Sequence, residues 1–190
     1  TDSQLEADES FVLSLGTPNP GATVGNGSVN GMLLNDDQQF AIQAQTASVA
    51  EGGDGQVAQL NFLVNRTGYL NGTGSVAWRV VGEGGNPVDG ADFVGGVLPS
   101  GTLNFTSGQT SQTISLQVAG DYRLEASEGL RVELYDPSTG ASLGNASATA
   151  TITNDDTGLA IATTRSGLLE GDGGSVIHEF TVTRSGVTTG

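Results

Sequence analysis

Leu124-Glu125-Ala126-Ser127-Glu128, introduced by Asp121 and followed by Leu130, Val132 and Leu134, occurs twice in this chain. Its other copy is Leu5-Glu6-Ala7-Asp8-Glu9, introduced by Asp2 and followed by Phe11, Leu13 and Leu15, at an offset of 119 residues (124 against 5). The same offset carries Asn35-Asp36-Asp37 onto Asn154-Asp155-Asp156, Ala41-Ile42 onto Ala160-Ile161 and Glu51-Gly52 onto Glu170-Gly171. After a one-residue deletion, Phe62-Leu63-Val64-Asn65-Arg66-Thr67-Gly68 falls on Phe180-Thr181-Val182-Thr183-Arg184-Ser185-Gly186. A period of this length marks a tandem array, and it sets the boundaries before any element is assigned. Residues 1–37 read as the C-terminal part of one repeat, 38–156 as a complete repeat and 157–190 as the N-terminal part of the next. The two ends together lack a counterpart of residues 69–119, so the expectation is a chain cut from a longer array.

Within the complete repeat, apolar residues alternate with polar ones at the period of a strand. The inward candidates are Leu60, Phe62 and Val64; Val76, Trp78 and Val80; Leu103 and Phe105; Ile114, Leu116 and Val118; Leu130, Val132 and Leu134; and Ala148, Ala150 and Ile152. With residues 40–44 in front, about seven strands are predicted, separated by turns such as Asn71-Gly72 and Asp89-Gly90. That count fits an all-β, immunoglobulin-like Greek-key β-sandwich. Trp78, the single tryptophan, sits mid-strand and reads as a core anchor.

Composition supports an all-β chain and narrows its partners. Thirty glycines suit short strands joined by tight turns. A net charge of −15 repels nucleic acid and anionic membrane surfaces and favours divalent cations. Without cysteine there are no disulfides and no thiolate metal sites, so small extracellular domains of this type need some other device to rigidify them, and bound calcium is one such device. No stretch is apolar for long enough to span a membrane, and direct membrane insertion of this segment is not expected.

The acidic residues gather at strand ends. Calcium takes six to eight oxygen ligands, several of them carboxylate, and only loops from different strands can surround it. Asp92, Asp121, Glu125, Glu128, Asp155 and Asp156 form such a set, and Glu51 adds a seventh side chain. Glu125 and Glu128 precede one apolar strand and Asp155 and Asp156 follow another; if the two strands are antiparallel, the four carboxylates share one edge. Asp8, Asp54, Asp89, Asp136 and Asp172 read as solvated turn residues.

Glu51-Gly52, Gly90-Ala91-Asp92-Phe93, Gly101-Thr102-Leu103-Asn104-Phe105, Gly108-Gln109-Thr110, then Asp121, Glu125 and Glu128, and a closing Asn154-Asp155-Asp156, stand in an order that resembles the Calx-beta domain family. The resemblance spans the central repeat and both flanking pieces. It implies an immunoglobulin-like sandwich whose acidic loops bind calcium at one pole, with ligands at Glu51, Asp92, Asp121, Glu125, Glu128, Asp155 and Asp156. In the flanking pieces it implies Asp2, Glu6, Glu9, Asp36, Asp37 and Glu170. Two departures, Gly120 before Asp121 and Asn154 in place of an aspartate, imply one or two Ca2+ ions per unit, with affinity of about 10⁻⁴–10⁻³ M.

Catalysis is not expected. The one histidine, His178, falls in an incomplete copy, and arrays repeat structural roles rather than catalytic ones. Two functions fit the repeats. One is a calcium-stiffened stalk or filament in an extracellular adhesin or matrix protein at the cell surface, its partners the neighbouring repeats and other copies in a filament or matrix. The other is a set of calcium-sensing regulatory domains in a larger membrane receptor or transporter. Sequons at Asn26, Asn65, Asn71, Asn104 and Asn145 are acceptors if the chain enters a glycosylating pathway.

Overall fold

The computed structural model describes residues 3–187, all of whose regular elements are strands. They are β1 (Glu9–Ser14), β2 (Ser28–Leu33), β3 (Gln38–Ala44), β4 (Ser48–Ala50), β5 (Val57–Gly68), β6 (Gly74–Glu83), β7 (Ser100–Phe105), β8 (Ser111–Ala119), β9 (Glu128–Tyr135), β10 (Ala141–Leu143), β11 (Ser147–Thr153), β12 (Thr157–Thr163) and β13 (Phe180–Gly186).

β3 to β11 build a sandwich from a four-stranded sheet, ordered β10-β3-β5-β8, and a five-stranded sheet, ordered β4-β11-β9-β6-β7. Apart from the β6–β7 hairpin, every connection between consecutive strands passes from one sheet to the other. Pairings are antiparallel except β10 with β3 and β11 with β4. The seven sequence-predicted strands correspond to β3, β5, β6, β7, β8, β9 and β11. The two additions, β4 and β10, are three residues long, too short for alternation to show.

The core lies between the sheets. Phe40, Ile42, Leu60, Phe62, Val64, Ile114, Leu116 and Val118 enter from one side and Val76, Val80, Phe105, Leu130, Val132, Leu134, Ala150 and Ile152 from the other. The Phe40 and Phe105 rings are tilted against each other with centroids 5.2 Å apart. Trp78 differs from the sequence expectation: it is only partly buried and packs on the margin of this core, while Phe40, Phe62, Phe93 and Phe105 fill the centre. Its strand β6 pairs there with the edge strand β7, and Trp78 lies opposite Gly101, whose missing side chain makes room for the indole.

Arg66 continues the inward series of Leu60, Phe62 and Val64 and is 1% exposed. A buried guanidinium is tolerated only when its donors are used. Here they reach Gln38 Oε1 at 2.6 Å and the carbonyl oxygens of Thr106, Tyr69 and Gly72 at 3.1, 3.2 and 2.8 Å.

On either side of the sandwich lies an antiparallel hairpin, β1–β2 and β12–β13. By the repeat offset, β1–β2 corresponds to β9–β11 and β12–β13 to β3–β5. Each Asn-Asp-Asp tripeptide runs straight into a strand: Asp37 directly precedes β3, and Asp156 directly precedes β12.

Candidate metal centre

The antiparallel register of β9 and β11 sets Glu128 opposite Ile152, so the start of one strand meets the end of the other. Glu125 and Glu128 from the approach to β9 thereby share a pole with Asp155 and Asp156 from the exit of β11. Glu51, at the exit of β4, joins them because β4 runs parallel to β11 and its N–H donates to Thr153 O at 3.2 Å. The β6–β7 connection brings Asp92, held by Ala119 N–H donating to its carbonyl oxygen at 2.9 Å and Asp89 N–H donating to its Oδ2 at 2.6 Å.

One oxygen from each of Asp92, Glu125 and Glu128 lies within 4.8 Å of the others. Two oxygens bound to one calcium at about 2.4 Å stand at most about 4.8 Å apart, so these three have the spacing of a shared ion. Around Glu51 are Asp121, Asp156, Glu125 and Asp155. Asp155 Oδ1 accepts from Gly52 N–H at 3.1 Å, and Asp121 Oδ1 accepts from Arg123 N–H at 2.6 Å. Turned with its amide nitrogen toward the site, Asn154 donates to Glu51 Oε1 at 3.0 Å.

Charge accumulation shows in the titration of these groups. Burial, followed by repulsion from Asp121, Asp156, Glu125 and Asp155, pushes Glu51 up to about 7. Burial, then the charge and hydrogen bond of Asp92 with smaller contributions from Glu125 and Asp89, pushes Glu128 up to about 7. Asp156 is raised as well, by burial first and then by Asp155 and Asp121. Its Oδ2 is buried without a hydrogen-bond partner, an orphaned acceptor. Arg123, an exposed cation, lies 3.1 Å from Glu125. An all-oxygen, excess-acid donor set with a buried orphan oxygen fits calcium, whose charge would cancel the repulsion.

Gly120 accounts for one sequence departure. A Cβ there would run into the carbonyl oxygens of Gly52 and, at 2.7 Å, Glu51, so the loops pack too closely for a side chain before Asp121. Asp89 is a neighbour that sequence reading set aside as a turn residue: it contributes to the field on Glu128 while its Oδ1 accepts from Ala91 N–H. Its place three residues before Asp92 in the same loop was the available signal.

In the preceding copy, Glu6, Glu9, Asp36 and Asp37 line one cavity of about 150 Å³ together with Asn35. Asp36 and Asp155 are both exposed, and Asp37 and Asp156 both buried, so the two registers match. Asp8, read as a solvated turn residue, accepts from Asn35 N–H at 2.8 Å. Glu170 is exposed and stands outside the metal-sized grouping found among the described residues. Asp2 lies outside the described residues.

The family model of the Calx-beta domain matches residues 34–157, and the chain belongs to that family. Among solved structures, the apo-form Calx CBD1 domain is 24% identical, with 63% of this chain and 98% of that chain covered at a TM-score of 0.50. CBD12 from CALX1.2 is 25% identical, with 65% of this chain and 49% of that chain covered at a TM-score of 0.51. The family is one whose domains bind calcium, and residues 34–157 contain the whole acidic pole described above.

Proposed function

We propose that these units bind calcium and serve as a calcium-stiffened stalk or filament in an extracellular adhesin or matrix protein, with no catalytic role. The observation that carries this reading is the junction. Asp156 ends one unit with a buried carboxylate in the acidic pole, and its own carbonyl oxygen accepts from Val187 N–H of the next unit at 3.1 Å. Asp37 does the same with Tyr69 N–H at 2.8 Å. Leu124, next to Glu125, sits over Gly186, whose φ of 88° and lack of a side chain allow the contact; Leu5, next to Glu6, sits over Gly68, φ 87°. Residues offered to the ion are thus one bond or one neighbour away from those that fix the following unit.

The runner-up is a calcium-sensing domain of a larger membrane receptor or transporter, favoured by the likeness to CBD12 from CALX1.2. Affinity separates the two: a stalk in calcium-rich surroundings needs only about 10⁻⁴–10⁻³ M, a sensor about 10⁻⁷–10⁻⁵ M. Calcium titration with small-angle scattering and thermal melting is the test. Weak binding that raises the melting temperature and extends the particle is expected for the stalk. Binding without extension sinks the stiffening role, and no binding sinks the calcium reading.

A further inference from the structure

Two arginines hold equivalent places at the two junctions. Gln38 pairs with Gly68 at the start of the β3–β5 ladder, and the next rung is made by Tyr69 N–H, which donates to Asp37 O at 2.8 Å. In the following unit Thr157 pairs with Gly186, and Val187 N–H donates to Asp156 O at 3.1 Å. The aspartate that ends each unit is therefore also the first rung of the next unit's antiparallel ladder. A guanidinium closes each rung from the other side. Arg66 Nη2 donates to Tyr69 O at 3.2 Å, and Arg184 Nη2 donates to Val187 O at 3.0 Å.

The receiving residue is tyrosine at one junction and valine at the other, so it is used through its backbone. The side chains the two junctions share are those of Arg66-Thr67-Gly68 and Arg184-Ser185-Gly186. Glycine is needed at the third place: φ is 87° and 88°, and a Cβ would run into the carbonyl oxygen of Asp37 or Asp156. That glycine also leaves the backbone just before the receiving residue with unusual freedom, and the arginine bond restrains it. Arg66 has a second duty, since its donors to Gly72 O and Thr106 O, at 2.8 and 3.1 Å, satisfy a buried charge and tie the β5–β6 loop to the β7–β8 loop. Arg184 has no such need. It is exposed, and it still makes the bond to the receiving residue.

We propose that Arg66 and Arg184 are positioning residues of the junctions, each fixing the residue that grips the preceding unit's terminal aspartate and thereby the orientation of one unit on the next. The inference deepens the stalk reading and rests on it only for the use made of a fixed orientation. The bonds themselves run between protein groups alone.

The test is NMR of the full chain in chelator, so its outcome is separate from that of the calcium titration. Two quantities are read: amide exchange at Val187, and the residual dipolar couplings of β12–β13 against those of the sandwich. Arg184→Gln is expected to speed exchange at Val187 about tenfold or more and to scale down the β12–β13 couplings, with the melting temperature of the sandwich kept. Arg165→Gln removes the same charge from the connection between β12 and β13 and is expected to change neither. Arg66→Gln is expected to lower the melting temperature as well, because it strands the carbonyl oxygens of Gly72 and Thr106, so the exposed Arg184 carries the decision. Unchanged exchange and couplings in Arg184→Gln overturn the proposal. So does an equal change from Arg165→Gln, which would assign the effect to lost charge rather than to the bond.

Discussion

β9–β11 and β1–β2 carry corresponding sequences, yet Leu130, Val132 and Leu134 are buried while Phe11, Leu13 and Leu15 are 51%, 63% and 66% exposed. The same contrast separates β3–β5 from β12–β13: Phe62 and Val64 lie in the core, Phe180 and Val182 outside it. Alternation therefore specifies a face, and only an opposing sheet converts that face into a core. The acidic pole follows the same rule. Glu6, Glu9, Asp36 and Asp37 stand together as their counterparts do, but a complete pole also draws Glu51 and Asp92 from loops that precede β9 in the chain.

The largest expected effect tests the packing half of this contrast. Phe62→Ala should destabilise the sandwich by about 3–5 kcal/mol, by lost burial and a cavity, whereas its counterpart Phe180→Ala should change urea stability by about 0.5 kcal/mol or less. Equal costs would mean that the hairpin face is covered in solution.

Next comes the pole. Glu128→Gln should weaken calcium binding about tenfold or more, about 1.4 kcal/mol, in calorimetric titration, and Glu9→Gln should leave the affinity of the central site nearly unchanged. A comparable loss from Glu9→Gln would show that the partial pole binds as well as the complete one.

A third test is pH. Glu51 and Glu128 titrate near 7 in the fold against an ordinary 4.5, so between these values the folded state holds more protons than the unfolded chain. Stability of the calcium-free chain should therefore be greatest near about pH 5 and fall as pH rises to about 8, the reverse of the usual paired carboxylate. Glu51→Gln should flatten that fall and raise calcium-free stability at about pH 8 by about 1–3 kcal/mol while weakening calcium binding. Stability that instead rises with pH would mean the carboxylates are relieved by groups outside the pole.

The smallest effect is expected on the surface. Arg79, exposed and paired with Glu133 at 2.9 Å, should cost about 1 kcal/mol or less when changed to Ala, read by thermal melting. A larger loss would show that the stacking of Arg79 on the Tyr135 ring, 5.3 Å to its centroid, matters to the sheet.

Much of this was legible in the sequence because strands and loops of the unit write themselves in different alphabets. Apolar alternation marked seven strands, and the positions of Glu125, Glu128, Asp155 and Asp156 needed only the antiparallel pairing of two of them to converge. Less was legible where the determinant is not periodic. β4 and β10 are too short to alternate, and Arg66 occupies an inward position that polarity alone assigns to the surface. The nearness of Asp89 to Glu128 depends on how one loop folds. Trp78 shows the limit of reading size as burial, since an inward position beside an edge strand is covered from one side only.

β4 and β11 lie near the two ends of the complete unit and run parallel, with Ser48, Val49 and Ala50 in register with Thr151, Ile152 and Thr153. Tension that pulls the N-terminal end of the unit away from its C-terminal end slides these strands along one another. Their hydrogen bonds are then loaded in shear, all at once, rather than peeled apart one by one. The acidic pole begins at the next residue of each chain segment, with Glu51 on one side and Asn154 on the other, so a unit drawn taut would meet its mechanical resistance beside its acidic loops.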